Sequence, residues 1–240
     1  MDWFAKLIGK KKAASPTGEN AAFSRNAASP AGENAAFSRD VAPTTPGEIA
    51  AFFNDAARDE QHFPSTIDPR ILHVRLILEY FGDLAGKLVA DAGCGKGRFA
   101  RILKDEHPGA SVIALDIAEA MLQRVAKDIY ACAGSLTAIP LDTASCDAAY
   151  ATESLEHAVD IDLAIAELCR ILKPGGKLVI IDKNKEQWGR FDTPAWEKWF
   201  GRDELEKKLG RHCRKVSSQF ISYWEDETPD GLFIAWTAEK

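Results

Sequence analysis

Little in the chain ties it to a metal, a disulfide framework, a membrane span or a nucleic acid. Its five cysteines, Cys94, Cys132, Cys146, Cys169 and Cys213, show no CxxC spacing. No zinc site and no disulfide framework are expected from them, and thiols kept in a reducing compartment are the simplest reading. No uninterrupted apolar run approaches the ~20 residues needed to cross a bilayer. The start lacks the apolar core and small-residue cleavage site of a secretory leader, so a cytoplasmic protein is expected. Lys and Arg number 30 against 36 Asp and Glu, a formal net charge of −6. That balance, with no long basic stripe, argues against a surface built to grip phosphate backbones, and no nucleic-acid partner is expected.

What is present is ample apolar material, 46% of 240 residues, enough for one sizeable core plus an appendage. Residues 1–12, MDWFAKLIGKKK, stand apart. Wound as a helix they place Trp3, Phe4, Leu7 and Ile8 on one face, with Lys6, Lys10, Lys11 and Lys12 supplying positive charge. This is the composition of a weak membrane-surface contact, which would make the protein peripheral at the inner membrane face. The alternative is a solubilising start or a strip docked on the protein itself. Over residues 13–44 the segment ASPTGENAAFSRN returns as ASPAGENAAFSRD with a period of 14. Two short, apolar-poor copies do not make a solenoid and read as a disordered linker, either a tether or a twice-presented recognition peptide.

The folded domain is expected over 45–240. Thr45-Pro46-Gly47-Glu48 has capping-box spacing with Pro at the first helical position, followed by a stripe of Ile49, Phe52, Phe53 and Ala56. A second helix is expected from Asp68-Pro69. Strands are predicted at 87–91, 111–116, 130–133, 147–151 and 177–182, alternating with helices at 97–106, 118–129 and, capped by Asp160, from 161 onward. Pro194 is expected to start a further helix with Trp196, Trp199 and Phe200 on one face. Two last strands, at 219–224 and 232–237, flank the turn signal Pro229-Asp230-Gly231. Strand–helix alternation of this kind means an α/β sheet covered on both faces.

The strongest local signal is the stretch from Val89 to Phe99, which reads VADAGCGKGRF between a predicted strand and a predicted helix. Glycine there allows positive φ and close approach of a ligand to the backbone, and the next helix start offers free amides to an anionic group such as a carboxylate. A glycine-rich first turn is shared with nicotinamide enzymes, which are a competing reading. The spacing here is GxGxG, an acid (Asp91) precedes the first glycine where it would repel a pyrophosphate, and Lys173-Pro174-Gly175-Gly176 precedes the fifth strand. Asp116, ending the second strand, is placed to accept both hydroxyls of a ribose, to cap the following helix, or both.

Taken in order, DAGCGKGRFA, ALDIAEAML, IPLDTASCDAAYATESLEH and RILKPGGKLVI resemble the class I S-adenosylmethionine-dependent methyltransferases. The resemblance covers about 68–182. It implies a Rossmann-like α/β fold whose seven-stranded, mostly parallel sheet has the order 3-2-1-4-5-7-6, and S-adenosyl-L-methionine as cofactor. It places Asp91, Gly93, Gly95 and Thr152 around the methionine part, Asp116 on the ribose, and Ile117, Ser135 and Leu136 against the adenine. Relatives often carry an acid near Ser135, which this chain lacks. Glu153 and His157 begin the segment facing the acceptor. Ile67-Asp68-Pro69 and TESLEH are similar to the quinone-pathway O-methyltransferases, although Thr66 stands where that group often has Arg; Arg70 is the substitute.

Methyl transfer from a sulfonium is an in-line displacement that gains most from alignment. An acceptor hydroxyl still calls for a base, and His157 is the first candidate, with a structural role as the alternative. Glu153 is a second candidate, and Glu156 with it would bias the pocket or orient His157; exposed acids are the plainer reading of both. His62, on the N-terminal helix, is a weaker candidate base, with a surface position the plainer expectation. Trp188 and Phe191 are the better pocket candidates among the late aromatics, with Trp196 and Trp236 expected in the core. Lys183, Lys185 and Arg190 are expected to be solvated. The function expected is methylation of a small, partly apolar acceptor of quinone-precursor type, at oxygen. The alternatives are a saccharide or lipid-linked envelope intermediate and a non-catalytic cofactor-binding module.

Overall fold

The apolar runs beyond residue 87 fold as strands of one sheet with the order β3-β2-β1-β4-β5-β7-β6. In chain order they are β1 (Leu88–Ala92), β2 (Ser111–Asp116), β3 (Tyr130–Ala133), β4 (Cys146–Thr152), β5 (Leu172–Lys183), β6 (Arg214–Ile221) and β7 (Phe233–Glu239). This computed structural model describes residues 43–191, 193–194 and 196–240. The amphipathic start and the repeat lie outside the described residues. Pairing is parallel from β3 to β5, and β7 is antiparallel to both β5 and β6. Order and direction match the expectation.

Helices cover both faces. Ala149 and Ala151 of β4 enter a core with Ile165 and Leu168 of α5 (Ile161–Ile171) and Leu205 and Leu209 of α6 (Arg202–Leu209). Between them Tyr150 points the other way, as strand alternation requires. Its ring lies 6.2 Å from Phe81 of α2 (Leu72–Phe81). On that face α2 also meets α3 (Arg98–Glu106). Before the sheet comes α1 (Pro46–Ala56), opened by the expected capping box: the Thr45 hydroxyl accepts from Glu48 N–H while the Glu48 carboxylate accepts from Thr45 N–H. A small second core of Ala57, Ala118 and Met121, with Phe53 and Phe63 against it, docks α1 on α4 (Glu119–Leu122).

Several elements depart from the sequence reading. The second helix begins at Leu72, not at Asp68-Pro69, because Leu72 N–H donates to Tyr223 O at 3.0 Å. The helix expected over 118–129 is α for Glu119–Leu122 and then tightens into turns, with Arg124 N–H on Met121 O and Val125 N–H on Leu122 O. No helix starts at Pro194. Phe200 instead bonds Lys183 and Lys185 through its N–H and C=O, both at 3.0 Å, extending the chain beside the end of β5. The sequence reading missed α6, whose buried residues are only Leu205 and Leu209, too thin a stripe to stand out. Cys169 and Cys213 are free and buried, with Sγ atoms 2.9 Å apart.

After β1 the chain builds outward through β2 and β3, then returns to place β4 on the other side of β1. At such a switch of strand order the connections leave in opposite directions and open a crevice at the strands' carboxyl ends. The sheet beneath it rests on Trp236, fully buried in β7 with its indole N–H on Arg202 O at 3.0 Å. Trp236→Ala is expected to lower the unfolding free energy by about 3–5 kcal/mol, read as the shift in a urea transition.

Candidate functional site

The turn after β1 is held in shape by two acceptors on β2. Gly93 and Cys94 N–H both donate to Leu115 O, at 2.8 and 2.9 Å. The Asp116 carboxylate takes Gly95 N–H on one oxygen at 2.7 Å and Ala118 N–H on the other at 2.8 Å. Gly93 and Gly95 sit at φ +77° and +54°, left-handed values that disfavour any side chain. At Gly93 there is also no room: a Cβ would lie 2.4 Å from Ser154 Cβ, and the Ser154 hydroxyl is tied to Ala92 O at 2.8 Å.

Bare backbone here floors a crevice at the ends of the strands. All ten residues singled out from the sequence line it: Asp91, Gly93 and Gly95 from the first turn, Asp116 and Ile117 from the end of β2, Ser135 and Leu136 after β3, and Thr152, Glu153 and His157 after β4. Asp91 is 2% exposed, and its Oδ2 has no hydrogen-bond partner among the described residues; Thr152 Oγ1 shares that condition. Burial, opposed by the Tyr150 hydroxyl and reinforced by the Asp116 charge, pushes the Asp91 carboxyl up to about 7. Burial raises Asp116 as well, opposed by the amides it accepts from. Ser135 Oγ closes a local turn with Thr137 Oγ1 at 2.8 Å.

Glu153 holds φ +50° without being glycine, pinned by its N–H on Ile181 O at 2.8 Å. Strained backbone of this kind costs on the order of 1–3 kcal/mol and collects at functional sites. Burial raises its carboxyl, but Arg98, 3.6 Å away, and then Lys183 outweigh that and hold it low, so it is ionised. The His157 ring packs on Phe53 and Trp196, with centroids 4.9 and 5.7 Å away. Burial pushes its pKa down to about 4, so the ring is neutral at physiological pH.

Some crevice residues were invisible to the sequence reading. Phe53 and Phe63 come from the flanking segment around α1, and His62, expected at the surface, lines the crevice beside them. Lys96, inside the glycine turn, is 5% exposed, and its ammonium reaches Glu60 Oε1 at 2.7 Å, fastening that flank to the turn. A lone lysine between glycines gives no hint of an acid 36 positions away. Other expectations are corrected. Trp188 and Phe191 do not line this crevice; they pack against Trp199 instead. Lys183 is not solvated but buried between Glu156 and Glu197. Glu156 is 1% exposed rather than a surface acid. Arg70 pairs with Asp68 and is absent from the crevice lining.

Residues 90–180 match the family described as Methyltransferase domain. Residues 90–180 form a class I methyltransferase domain. Among similar curated proteins, a demethylmenaquinone methyltransferase of Renibacterium salmoninarum is 33% identical over 153 residues, 62% of this chain and 64% of that one. A malonyl-acyl-carrier-protein O-methyltransferase of Dechloromonas aromatica is 32% identical over 124 residues, 50% of this chain and 47% of that one. The chain thus spans less than two thirds of these relatives. In fold the chain resembles a putative methyltransferase of Haloferax volcanii in complex with an activator (TM-score 0.64, 19% identity, covering 78% of this chain and 96% of that one). It equally resembles the SpnF cyclase (TM-score 0.64, 16% identity, covering 83% and 97%), so fold alone does not fix the reaction. The methyl donor of the family is S-adenosyl-L-methionine.

The glycines offer a direct test of the turn. Gly95→Ala meets nothing within 4 Å and carries only the left-handed backbone cost, about 1–2 kcal/mol. Gly93→Ala adds the collision with Ser154 and is expected to destabilise the protein clearly more. Paired urea titrations measure the difference.

Proposed function

We propose that the protein transfers a methyl group from S-adenosyl-L-methionine to a small, partly apolar acceptor. The observation that carries this reading is the buried, unpartnered Asp91 Oδ2 facing a glycine-floored crevice. A buried carboxylate with one oxygen left unpartnered is costly even with the Tyr150 hydroxyl beside it, and the ammonium of the cofactor's methionine part would supply the missing partner. A dinucleotide pyrophosphate in the same place would be repelled. Asp116 keeps lone pairs free beyond the two amides it accepts, which suits the ribose hydroxyls. Ile117 and Leu136 offer apolar contact to the adenine, with Ser135 at its edge. Thr152, with its hydroxyl unpartnered, completes the methionine end.

Bound there, the cofactor supplies an electrophilic methyl, and the chain's own residues align the acceptor and manage its proton. The aromatic wall of Phe53, Phe63 and His157 suits an apolar ring, and with the similarity to a demethylmenaquinone methyltransferase it supports a quinone-type acceptor. Oxygen is the atom of this reading. His157, neutral at rest, is the base of this reading, and Glu153 faces the acceptor beside it.

Two outcomes are expected. In calorimetry S-adenosyl-L-methionine binds and NADH does not, and Asp116→Asn, which spares most of the turn's shape, weakens binding at least about tenfold. Because Asp91 titrates near 7, a cationic neighbour lowers its pKa on binding and releases about half a proton at pH 7, with affinity falling as pH drops further. Calorimetry in buffers of different ionisation enthalpy reads that proton, and Asp91→Asn removes it. Turnover is tested by incubating the full chain with labelled donor and a naphthohydroquinone. S-Adenosylhomocysteine with O-methylated product supports the acceptor class; no turnover with it but transfer to another extract component moves the acceptor elsewhere.

A further inference from the structure

The crevice lining among the described residues includes one lysine and one arginine, Lys96 and Arg98. Lys96 is spent. Its side chain is 1% exposed, with the ammonium on Glu60 Oε1 at 2.7 Å and Asp59 O at 3.3 Å. Arg98 is not. Its side chain is 20% exposed, and Glu153, the acid within 4 Å, lies 3.6 Å from its Nη2, outside hydrogen-bond distance. Among the described residues no hydrogen bond takes up the N–H donors of this guanidinium.

The surroundings of Arg98 favour an anion. It opens α3 directly after the glycine turn, and no side chain caps that helix start, so the positive pole of α3 lies behind it. At the other end of the turn stands Asp91. Its carboxyl is raised first of all by burial, and the Arg98 charge draws it the other way, so the two groups lie within electrostatic reach. Glu153, fixed by its left-handed backbone, stands beside the guanidinium without occupying its donors. One crevice thus holds a carboxylate oxygen and a guanidinium that each lack a partner. An α-amino acid carries both complements, an ammonium and a carboxylate, on a single carbon. A separate anion, such as one on an acceptor, would match Arg98 and leave Asp91 unmatched.

Resting on the reading of Asp91 as the ammonium site, we propose that Arg98 binds the α-carboxylate of the cofactor's methionine part, so that the two residues together clasp its zwitterionic end. The planar fork of a guanidinium can meet both oxygens of a carboxylate. S-Adenosylhomocysteine keeps the same zwitterion after the methyl has left. Arg98 therefore holds donor and spent donor alike, and acts on binding rather than on the transfer step.

Calorimetry on the full chain with two donors tests this. One is S-adenosyl-L-methionine; the other is its decarboxylated form, which keeps an ammonium and lacks the carboxylate. Arg98→Gln is expected to weaken the first about tenfold or more and the second by no more than about twofold. S-Adenosylhomocysteine follows the first. Arg98→Lys, with the charge but not the fork, falls between the parent and Arg98→Gln, and it carries the same comparison should Arg98→Gln not fold. Asp91→Asn weakens both donors, because both carry the ammonium. Equal losses for the two donors in Arg98→Gln, or no loss for either, overturn the proposal, as does a parent that binds both equally. Unchanged donor affinity with a raised KM for the naphthohydroquinone also overturns it and assigns the guanidinium to the acceptor. If Asp91→Asn weakens neither donor, the reading of Asp91 fails on its own, while the ratio between donors in Arg98→Gln still decides what Arg98 holds. Thermal midpoints within a few degrees of the parent show that each variant is folded.

Discussion

The Asp116 carboxylate is the joint on which the site depends. By accepting Gly95 N–H and Ala118 N–H it joins the glycine turn of one strand to the end of the next. A buried carboxylate pays heavily for desolvation unless amides point at it, and here two do. The same bonds that satisfy Asp116 hold the turn open at left-handed φ, and the open turn lets the crevice floor be backbone alone. Strand order does the rest, because the crevice needs β4 on the far side of β1.

Much of this was legible in the sequence because it is local. Strand runs, capping residues, the glycine spacing and the acid closing β2 each carry their reason within a few positions. The ten crevice residues named from sequence converge because four strand ends meet at one switch point. What escaped was set across the fold. Lys183 reads as a solvated base until Glu156 and Glu197 are folded against it. The stretch after Pro194 has helical apolar spacing, but edge-of-sheet hydrogen bonds to Lys183 and Lys185 extend it. Phe53 announces a helix face, not the wall it forms with Phe63. Polar α6 hid because two leucines suffice to seat it.

The charge cluster behind His157 is an unusual expense for a core. Removing ions from water costs several kcal/mol each, and hydrophobic replacements of equal volume often stabilise. Its stability value is thus small. What it gives is a fixed arrangement: two acids held on one ammonium, packed beside the aromatic rings of His157 and Trp196.

Labour is divided along the chain. Residues within 90–180 furnish the turn, Asp116 and the strand ends, whereas the wall beside His157 comes from α1 and its following loop, with Trp196 packed on the His157 ring. Those flanks can be rewritten in evolution without disturbing the nucleoside end. Descendants of one domain can then diverge in what they modify, and a shared domain label says least about the half of the cavity where selectivity arises.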